Sequence, residues 1–414
     1  MLLLSYLCVL LGLGLSSAIP VQKTDDSMTW TPSTSTSARP TTSGAIQTTS
    51  SYQSFSTTGV TYYGSTVVPS TPAPASVGPS CGNCTPSVVW NDVIFLIDAS
   101  AASTTKNVGD MWSFILSFCE SLNVQRSSYT DNLQYVRVGV IAYSDDVKVV
   151  AGLGSVSFDD MFDLDIPYLA GGLKGTNLEK AITTASEMFD SSAHRPNSRK
   201  VLFVIAPDYN PAGTTAPQKV ADTFKANGGI LIAFEYTPSV GEPNPGLRTL
   251  ASPNYFLNNH DNGIDDVLQA QCDANCFCLQ NYLAYGNSAR GTPVSGCYYP
   301  VDLPSSFMIG NRNCLKNYNN GYIASVQTAD KQNFLTSITN NSIYIIGLEN
   351  KNGVLQWSDG SNLGSYHPYR SGPPSSSDMV IVNNGYWDLT NNRNGYWYVC
   401  ESSPCSANKY CDSV

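Results

Sequence analysis

The chain has 414 residues, of which only 13% are charged, and its formal net charge is −10. This length exceeds what one hydrophobic core normally holds and predicts two domains with additional segments. The acidic balance excludes the basic footprint with which proteins attract nucleic acid or an anionic membrane surface, so neither is expected as a partner.

The amino-terminal segment is typical of a secretory leader. Residues 2–18 are mostly apolar and end in small residues, Ser16-Ser17-Ala18, of the type that signal peptidase recognises. The run is too short to span a bilayer, and no later stretch is long and apolar enough to do so. We therefore expect a signal peptide at residues 1–18, a secreted, extracellular protein and no membrane span.

Residues 19–80 are dominated by Ser, Thr, Pro and Gly. Such a segment buries too little apolar area to offset the entropy lost on folding, so it is predicted to be a disordered linker. Its Ser/Thr/Pro bias suits O-glycosylation and a stalk-like spacer. A plain linker without sugars is the alternative.

Strand and helix patterns alternate over residues 88–271, which predicts an α/β doubly wound, Rossmann-like domain with helices on both faces of a parallel sheet. The predicted strands are Val93–Asp98, Tyr135–Tyr143, Val147–Ala151, Lys200–Ala206, Gly229–Glu235 and Asn254–Leu257. The predicted helices are Asn107–Leu122, Thr176–Asp190, Ala216–Ala226 and Gly263–Gln271.

The first predicted strand, Val93–Asp98, is apolar on both faces and is followed by small hydroxylated residues. This pattern is typical of a buried parallel strand. In an open α/β sheet, ligands bind in the crevice at the carboxyl ends of the strands. The loop after Asp98 is therefore a candidate functional site.

The stretch VIFLIDASAAS, from Val93 to Ser103, resembles the first strand and loop of a von Willebrand factor type A domain. Two later phrases, RVGVIAYSDDVKVVAGL from Arg137 and GTNLEKAITTASEMF from Gly175, extend this resemblance over residues 88–271. The resemblance implies a divalent-cation site built from an Asp and two Ser of the first loop, a later Thr and a later Asp.

The positions that match this metal pattern carry side-chain oxygens, and they are Asp98, Ser100, Thr176 and, one residue late, Asp208. Ala102 stands where the second Ser is expected, and Pro207 stands where the later Asp is expected. Because Mg²⁺ requires near-ideal octahedral oxygen geometry, these departures predict weak cation binding at most. The alternative is that nearby backbone N–H groups satisfy Asp98 and Ser100.

The composition changes at Cys272, after which Cys, Gly, Asn, Tyr and Trp become frequent. The phrases CFCLQNYLAYGNS, GCYY, YIIGLEN, LQWSDGS, GYWDL and YWYVCE appear in this order. They resemble an α+β C-type lectin-like domain, which with a short cysteine tail would occupy residues 272–414. The order of leader, type A domain and lectin-like domain is similar to that of a family of secreted nematode proteins.

Sugar-binding C-type lectins hold Ca²⁺ through a Glu-Pro-Asn or Gln-Pro-Asp loop and a Trp-Asn-Asp motif. Here the loop reads Ser371-Gly372-Pro373-Pro374 and the later motif reads Trp387-Asp388-Leu389, so only Asp388 offers a ligand oxygen. Since Ca²⁺ takes about six to eight oxygens, any ligand binding is expected to be independent of calcium.

Aromatic rings near this loop are the candidate ligand-binding residues, because a ring face can stack on a ligand. The candidates are Tyr366, His367, Tyr369, Tyr386 and Trp387. Packing in the core or against the loop is the alternative for Tyr386 and Trp387.

Removal of Cys8 with the leader leaves eleven of the 12 cysteines, an odd number. Cysteines in this number are typical of an oxidising compartment. Cys119 falls on the inward face of the first predicted helix and is interpreted as a buried free thiol. Because the ends of a type A domain lie close together, Cys81 and Cys84 are expected to pair with Cys272 and Cys276, in an order that stays open.

The resemblance to C-type lectins implies three further disulfides. They are Cys314–Cys400, Cys278 (or alternatively Cys276) with Cys297, and Cys405–Cys411. Two sequons, at Asn83 and Asn340, are acceptors for N-glycans. The first is the poorer acceptor, because Cys84 occupies its middle position and Pro86 follows it.

No enzymatic motif is found. The 3 histidines lie in polar loop contexts, and neither a GxSxG nor an HExxH pattern occurs. We therefore expect a non-enzymatic protein that recognises glycan or protein ligands, with a role in innate defence implied by the nematode resemblance. The alternative is a structural adhesion protein of the extracellular matrix that uses the type A domain for protein contacts.

Overall fold

The computed structural model describes residues 80–101, 103–126, 134–167, 176–207, 217–237, 245–375, 378–391 and 395–411. All of them belong to one compact unit, Pro69–Val414. The predicted signal peptide, and the predicted linker except for Ser80, lie outside the described residues.

The first domain is built on a six-stranded sheet. Its strands are β1 (Asp92–Asp98), β2 (Arg137–Tyr143), β3 (Val147–Ala151), β4 (Lys200–Ala206), β5 (Ile230–Glu235) and β6 (Phe256–Asn258). The strand order is β3-β2-β1-β4-β5-β6. All neighbouring strands are parallel except β2 and β3, which are antiparallel at one edge of the sheet.

The sheet is covered on both faces by α1 (Thr105–Cys119), α2 (Phe158–Met161), α3 (Leu178–Phe189), α4 (Pro217–Ala226) and α5 (Ile264–Ala274). Strand β1 is fully buried because its side chains alternate between two core layers. Phe95 packs in the layer with α1 and α5, whereas Leu96 packs in the layer with α3 and α4. The predicted doubly wound fold is confirmed.

The second domain begins with β7 (Leu283–Ala284) and β8 (Cys297–Ser305). Its remaining elements are α6 (Phe307–Asn317), β9 (Tyr322–Ile323), α7 (Ala329–Ile338), β10 (Tyr344–Ile345), β11 (Leu348–Lys351), β12 (Val354–Trp357), β13 (Asp378–Asn383), β14 (Tyr386–Asn391) and β15 (Tyr396–Ser402). The main sheet runs β14-β13-β10-β15-β8-β7, with β9 also paired to β15, while β11 and β12 form a separate hairpin. Helices and mainly antiparallel strands together confirm the predicted α+β domain.

Gly347 lies where two chain segments of the second domain approach each other closely. Its N–H donates to the carbonyl of Ala324 at 2.8 Å, and its own carbonyl accepts from the N–H of Ser358 at 2.7 Å. A Cβ atom at this position would collide with the backbone carbonyl of Ile323. The glycine within the YIIGL phrase therefore leaves room for the neighbouring backbone.

Five disulfides occur among the described residues: Cys81–Cys276, Cys84–Cys272, Cys278–Cys297, Cys314–Cys400 and Cys405–Cys411. The first two join the segment before β1 to the end of α5, which resolves the order left open by the sequence. Cys278 rather than Cys276 closes the entry hairpin of the second domain. Cys119 is a buried free thiol.

Trp90, just before β1, connects the first domain to the carboxyl-terminal tail. Its indole N–H donates to the Ser406 carbonyl at 2.8 Å. Its ring centroid lies 4.7 Å from that of Tyr410 and 5.7 Å from that of Phe277. The tail disulfide Cys405–Cys411 packs in the same small cluster, so the tail is held against the entrance to β1.

Candidate functional sites

The carboxyl edge of the first sheet brings together part of the sequence-predicted metal set. Asp98 ends β1 and is fully buried, and its Oδ1 accepts a hydrogen bond from the Ser100 N–H at 2.8 Å. Thr176 lies two residues before α3, and Pro207 follows β4, the strand next to β1. Ala102 and Asp208 lie outside the described residues.

These residues do not fit a tightly held divalent cation. Pro207 carries no side-chain oxygen at one expected ligand position, and Ala102 carries none at another. One oxygen of Asp98 already accepts a backbone N–H. Within the described ranges, no group of three or more His, Cys, Asp or Glu side chains is arranged to hold a metal ion.

Glu235, a buried carboxylate at the same edge of the first sheet, is not among the residues predicted from the sequence. It ends β5, is 1% exposed, and its Oε1 lies 3.5 Å from the Thr237 hydroxyl. The sequence contained a pattern that could have identified Glu235. The apolar run ILIAFE ends in an acidic residue, as VIFLID does at β1.

The aromatic loop of the lectin-like domain, residues 366–370, is fixed against β14. The Trp387 N–H donates to the Pro368 carbonyl at 2.9 Å, and the Arg370 N–H donates to the Trp387 carbonyl at 3.0 Å. These two backbone bonds hold the candidate rings Tyr366, His367 and Tyr369 beside the strand that carries Tyr386 and Trp387.

Trp387 requires a correction, because it was predicted to bind ligand and it lies in the core. Its side chain is 0% exposed, and its indole N–H donates to Gln332 Oε1 at 2.7 Å. The rings of Trp357, Tyr366 and Tyr369 pack edge-to-face against it, with centroids 5.3–5.9 Å away. No face of the indole is left for a ligand.

The other candidates differ in accessibility. Tyr386 is 54% exposed, and His367 is also exposed. Tyr366 and Tyr369 are half-buried, and burial raises the pKa of both hydroxyls. The His367 ring stacks on that of Tyr369 at 5.6 Å. A ligand would therefore meet Tyr386 and His367 first.

Asp388, the remaining calcium-type ligand of the sequence motif, is already engaged. Its Oδ1 lies 2.9 Å from Arg370 Nε, and its Oδ2 accepts from the Asn383 amide at 3.0 Å. The Arg370 guanidinium also lies 5.0 Å from the centroid of the Tyr386 ring. A cation placed at Asp388 would lose one carboxylate oxygen to Arg370 and meet its positive charge at short range.

Arg370 was missed by the sequence reasoning. Its partner Asp388 lies 18 positions further along the chain on another element, and no local spacing connects the two. The backbone bonds and ring contacts between the aromatic loop and β14 bring them together in the folded chain.

The two sequons differ in their surroundings. Asn340 is exposed in the turn that follows α7. Asn83 is also exposed, but the neighbouring Cys84 is bonded to Cys272, and the Asn83 carbonyl accepts from the Asn408 amide at 2.5 Å.

Two segments of the sequence match known protein families, and these families have the two folds described above. Residues 92–270 match the family described as von Willebrand factor type A domain, and residues 304–402 match that described as lectin C-type domain. The protein therefore carries a type A domain followed by a C-type lectin domain, as the sequence predicted. These are domains of non-enzymatic recognition and adhesion families.

Two curated relatives illustrate the similarity. C-type lectin domain-containing protein 160 of Caenorhabditis elegans is 24% identical over 383 residues, which cover 83% of this chain and 58% of the relative. Matrilin-4 of Mus musculus is 31% identical over 183 residues, which cover 43% of this chain and 26% of matrilin-4. The chain thus spans little more than half of the first relative and about a quarter of the second.

Among solved structures, proximal thread matrix protein 1 from the mussel byssus aligns with a TM-score of 0.36 at 22% identity, covering 46% of this chain and 48% of that one. A Ca²⁺-dependent type II antifreeze protein in its Ca²⁺-free form aligns with a TM-score of 0.26 at 15% identity, covering 30% of this chain and 100% of that one. The two domain types and the disulfides are typical of extracellular adhesion or recognition proteins. Among the helices of the described ranges, none has the length and apolar character needed to cross a bilayer.

Proposed function

With a type A domain followed by a C-type lectin domain as the premise, we propose that this protein is a secreted recognition protein whose lectin domain binds glycan or protein ligands without calcium. The observation that carries the proposal is the ion pair between Arg370 and Asp388. The Arg370 guanidinium engages one oxygen of the only calcium-type ligand that the sequence motif retains, and this supports binding without calcium. The resemblance to secreted nematode proteins favours a role in innate defence.

The ligand surface in this proposal consists of Tyr386 and His367, with the edge of Tyr369 beside them. Each aromatic contact with a ligand contributes about 0.5–1.5 kcal/mol to the binding free energy, in addition to the contribution from the apolar area that it buries. Arg370 holds one face of the Tyr386 ring and adds hydrogen-bond donors at the border of the surface. Trp387 contributes indirectly, because its buried indole is the platform on which the loop packs.

The test is a screen of the full chain against a glycan array and bacterial surfaces, with Ca²⁺ or with excess chelator. Ligands should be retained with chelator, and the double variant His367→Ala/Tyr386→Ala should bind at least several-fold more weakly. Tyr236→Ala, which removes a half-buried tyrosine from the type A domain, is the matched control. Binding that is lost with chelator and restored by Ca²⁺ contradicts the proposal, as does unchanged binding by the double variant.

For the type A domain, we propose weak or no binding of Mg²⁺ at Asp98, Ser100, Thr176 and Asp208. Support comes from Ala102 and Pro207 at two of the ligand positions. A calorimetric titration should give no micromolar dissociation constant. A micromolar constant that disappears in Asp98→Ala would contradict this.

Adhesion within the extracellular matrix is the second candidate function, favoured by the similarity of 43% of this chain to matrilin-4. In this case the type A domain would make the protein contacts and residues 19–80 would act as a spacer. Co-purification with insoluble matrix, together with an absence of glycan binding, would favour this function over glycan recognition.

A further inference from the structure

A cleft lies at the opposite edge of the type A sheet from Asp98, where the residues before β4 meet the entry segment of the lectin domain. One part, of about 740 Å³, is lined by Arg199, Lys200 and Phe277. A second part, of about 350 Å³, is lined by Tyr282, Tyr299 and Tyr318. The two parts share Asn197 and Gln280 as walls, so they form one continuous groove.

Among the basic side chains that line this groove, Arg199 is the one for which the described residues show no acidic partner. Its guanidinium lies 5.2 Å from the centroid of the Phe277 ring, and its buried Nε has no hydrogen-bond partner. No carboxylate within the described ranges pairs with it, and burial lowers its pKa. A positive charge that is partly removed from water without an anion is costly, unless a ligand supplies the anion.

The other basic side chains of this part already have acidic partners. Lys200 Nζ lies 3.0 Å from Asp190 Oδ1, and His194 Nδ1 lies 2.8 Å from Asp92 Oδ2. Arg199 is therefore the charged side chain available to an incoming anion.

The second part of the groove offers aromatic rings and amides. The Tyr299 centroid lies 5.4 Å from that of Tyr282 and 4.7 Å from that of Tyr318. The buried Tyr282 hydroxyl has no hydrogen-bond partner. The amides of Gln280 and Asn317 are exposed at the wall. Tyrosine rings bordered by carboxamides suit the apolar face and the hydroxyls of a sugar.

We propose that this groove binds an acidic oligosaccharide, with sugar rings against the tyrosines and a carboxylate or sulfate group on Arg199. A guanidinium recognises either anion through paired N–H donors. The site is distinct from the Tyr386 surface and contains no calcium ligand. A nucleic acid is a poor occupant, because the chain carries a net charge of −10 and the groove offers one unpaired cation.

The test measures binding of three oligosaccharides of equal length to the full chain: one whose acidic groups are uronic-acid carboxylates, one with the same number of acidic groups that are all sulfates, and a neutral chito-oligosaccharide. The two acidic probes should bind at least tenfold more tightly than the neutral one, and binding should weaken with added salt. Comparison of the two acidic probes identifies the preferred anion. Arg199→Gln should reduce their binding at least tenfold.

Arg248→Gln is the matched control, because Arg248 also lies over a phenylalanine, Phe256, at 4.3 Å and belongs to another surface. It should bind like the wild type.

If Arg199→Gln fails to fold, Gln280→Ala is the second test. This variant removes an exposed amide shared by both parts of the groove and should reduce binding several-fold. The His367→Ala/Tyr386→Ala variant should retain acidic-probe binding, which separates this site from the proposed lectin surface. Equal binding of the neutral probe, or full binding by both folded groove variants, would overturn the proposal.

Discussion

Lys331 Nζ lies 2.8 Å from Glu401 Oε1, and both side chains are fully buried in the lectin domain. The Ser325 N–H donates to Glu401 Oε2 at 3.0 Å, and the Tyr298 hydroxyl lies 2.9 Å from Oε1. This network joins helix α7 to the central strand β15. Since all its charged atoms have partners, it fixes the arrangement of the two elements, although a buried pair need not add net stability.

Removal of one partner of this pair should be strongly destabilising. Lys331→Met or Glu401→Gln leaves an uncompensated buried group and should lower the free energy of unfolding by about 3–5 kcal/mol, measured by urea denaturation. The double variant should lose less than the sum of the two. Lys180→Met, which breaks the exposed Lys180–Asp146 pair, should cost about 1 kcal/mol or less. Equal effects of the buried and the exposed variants would refute this account.

Asp92 should make stability depend on pH in the acidic range. Burial alone would raise the pKa of its carboxyl, but the hydrogen bond with His194 and the charge and hydrogen bonds of Arg195 outweigh it and lower the pKa. A lowered folded-state pKa gives a contribution that is complete above the unfolded-state pKa of about 3.9 and is lost as the pH falls through the folded-state value.

Urea denaturation between pH 6 and pH 3 measures this contribution. Asp92→Asn should be less stable at neutral pH and should lose less stability on acidification than the wild type. The control Asp163→Asn removes an exposed carboxylate and should follow the wild-type curve. The prediction fails if the Asp92→Asn and wild-type curves stay parallel down to pH 3.

Gly347 should not tolerate even a methyl group. In Gly347→Ala the new Cβ meets the Ile323 carbonyl, and two backbone segments must separate, which should cost about 1–3 kcal/mol or more. Gly109→Ala in helix α1 has open space around the added carbon and should be neutral or stabilise by about 0.5–1 kcal/mol. Thermal unfolding of both variants decides the question, and a wild-type melting temperature for Gly347→Ala would contradict it.

Cys119 should remain a reduced, unreactive thiol. It is fully buried, and burial raises its pKa, so little of the nucleophilic thiolate forms at neutral pH. Iodoacetamide should label it only after unfolding in denaturant, as read by mass spectrometry under non-reducing conditions. Rapid labelling of the native protein, or a disulfide at Cys119, would show the interpretation to be wrong.

The sequence predicted the elements of the type A domain well, because its strands are continuous apolar runs. The boundaries were less certain: α1 ends at Cys119 rather than Leu122, and α5 continues to Ala274 rather than Gln271. Such shifts are expected, since helix ends depend on caps and tertiary contacts more than on periodicity.

The candidate sites were predicted less well, because they depend on contacts between distant residues. The position of Trp387 after Tyr386 gave no sign of which ring faces the core. The Arg370–Asp388 pair and the groove between Arg199 and Tyr282 are formed only when separate segments fold together. The aromatic residues in the sequence indicated the lectin loop, but only the structure shows which of its side chains remain accessible.

The most direct test of the central claim is a calorimetric titration of Ca²⁺ into the full chain after removal of bound ions. The ion pair at Asp388 predicts no saturable heat in the wild type or in Asp98→Ala, which removes the carboxylate of the type A edge. Saturable binding of one Ca²⁺ per chain that persists in Asp98→Ala and disappears in Asp388→Asn would contradict a calcium-independent lectin domain.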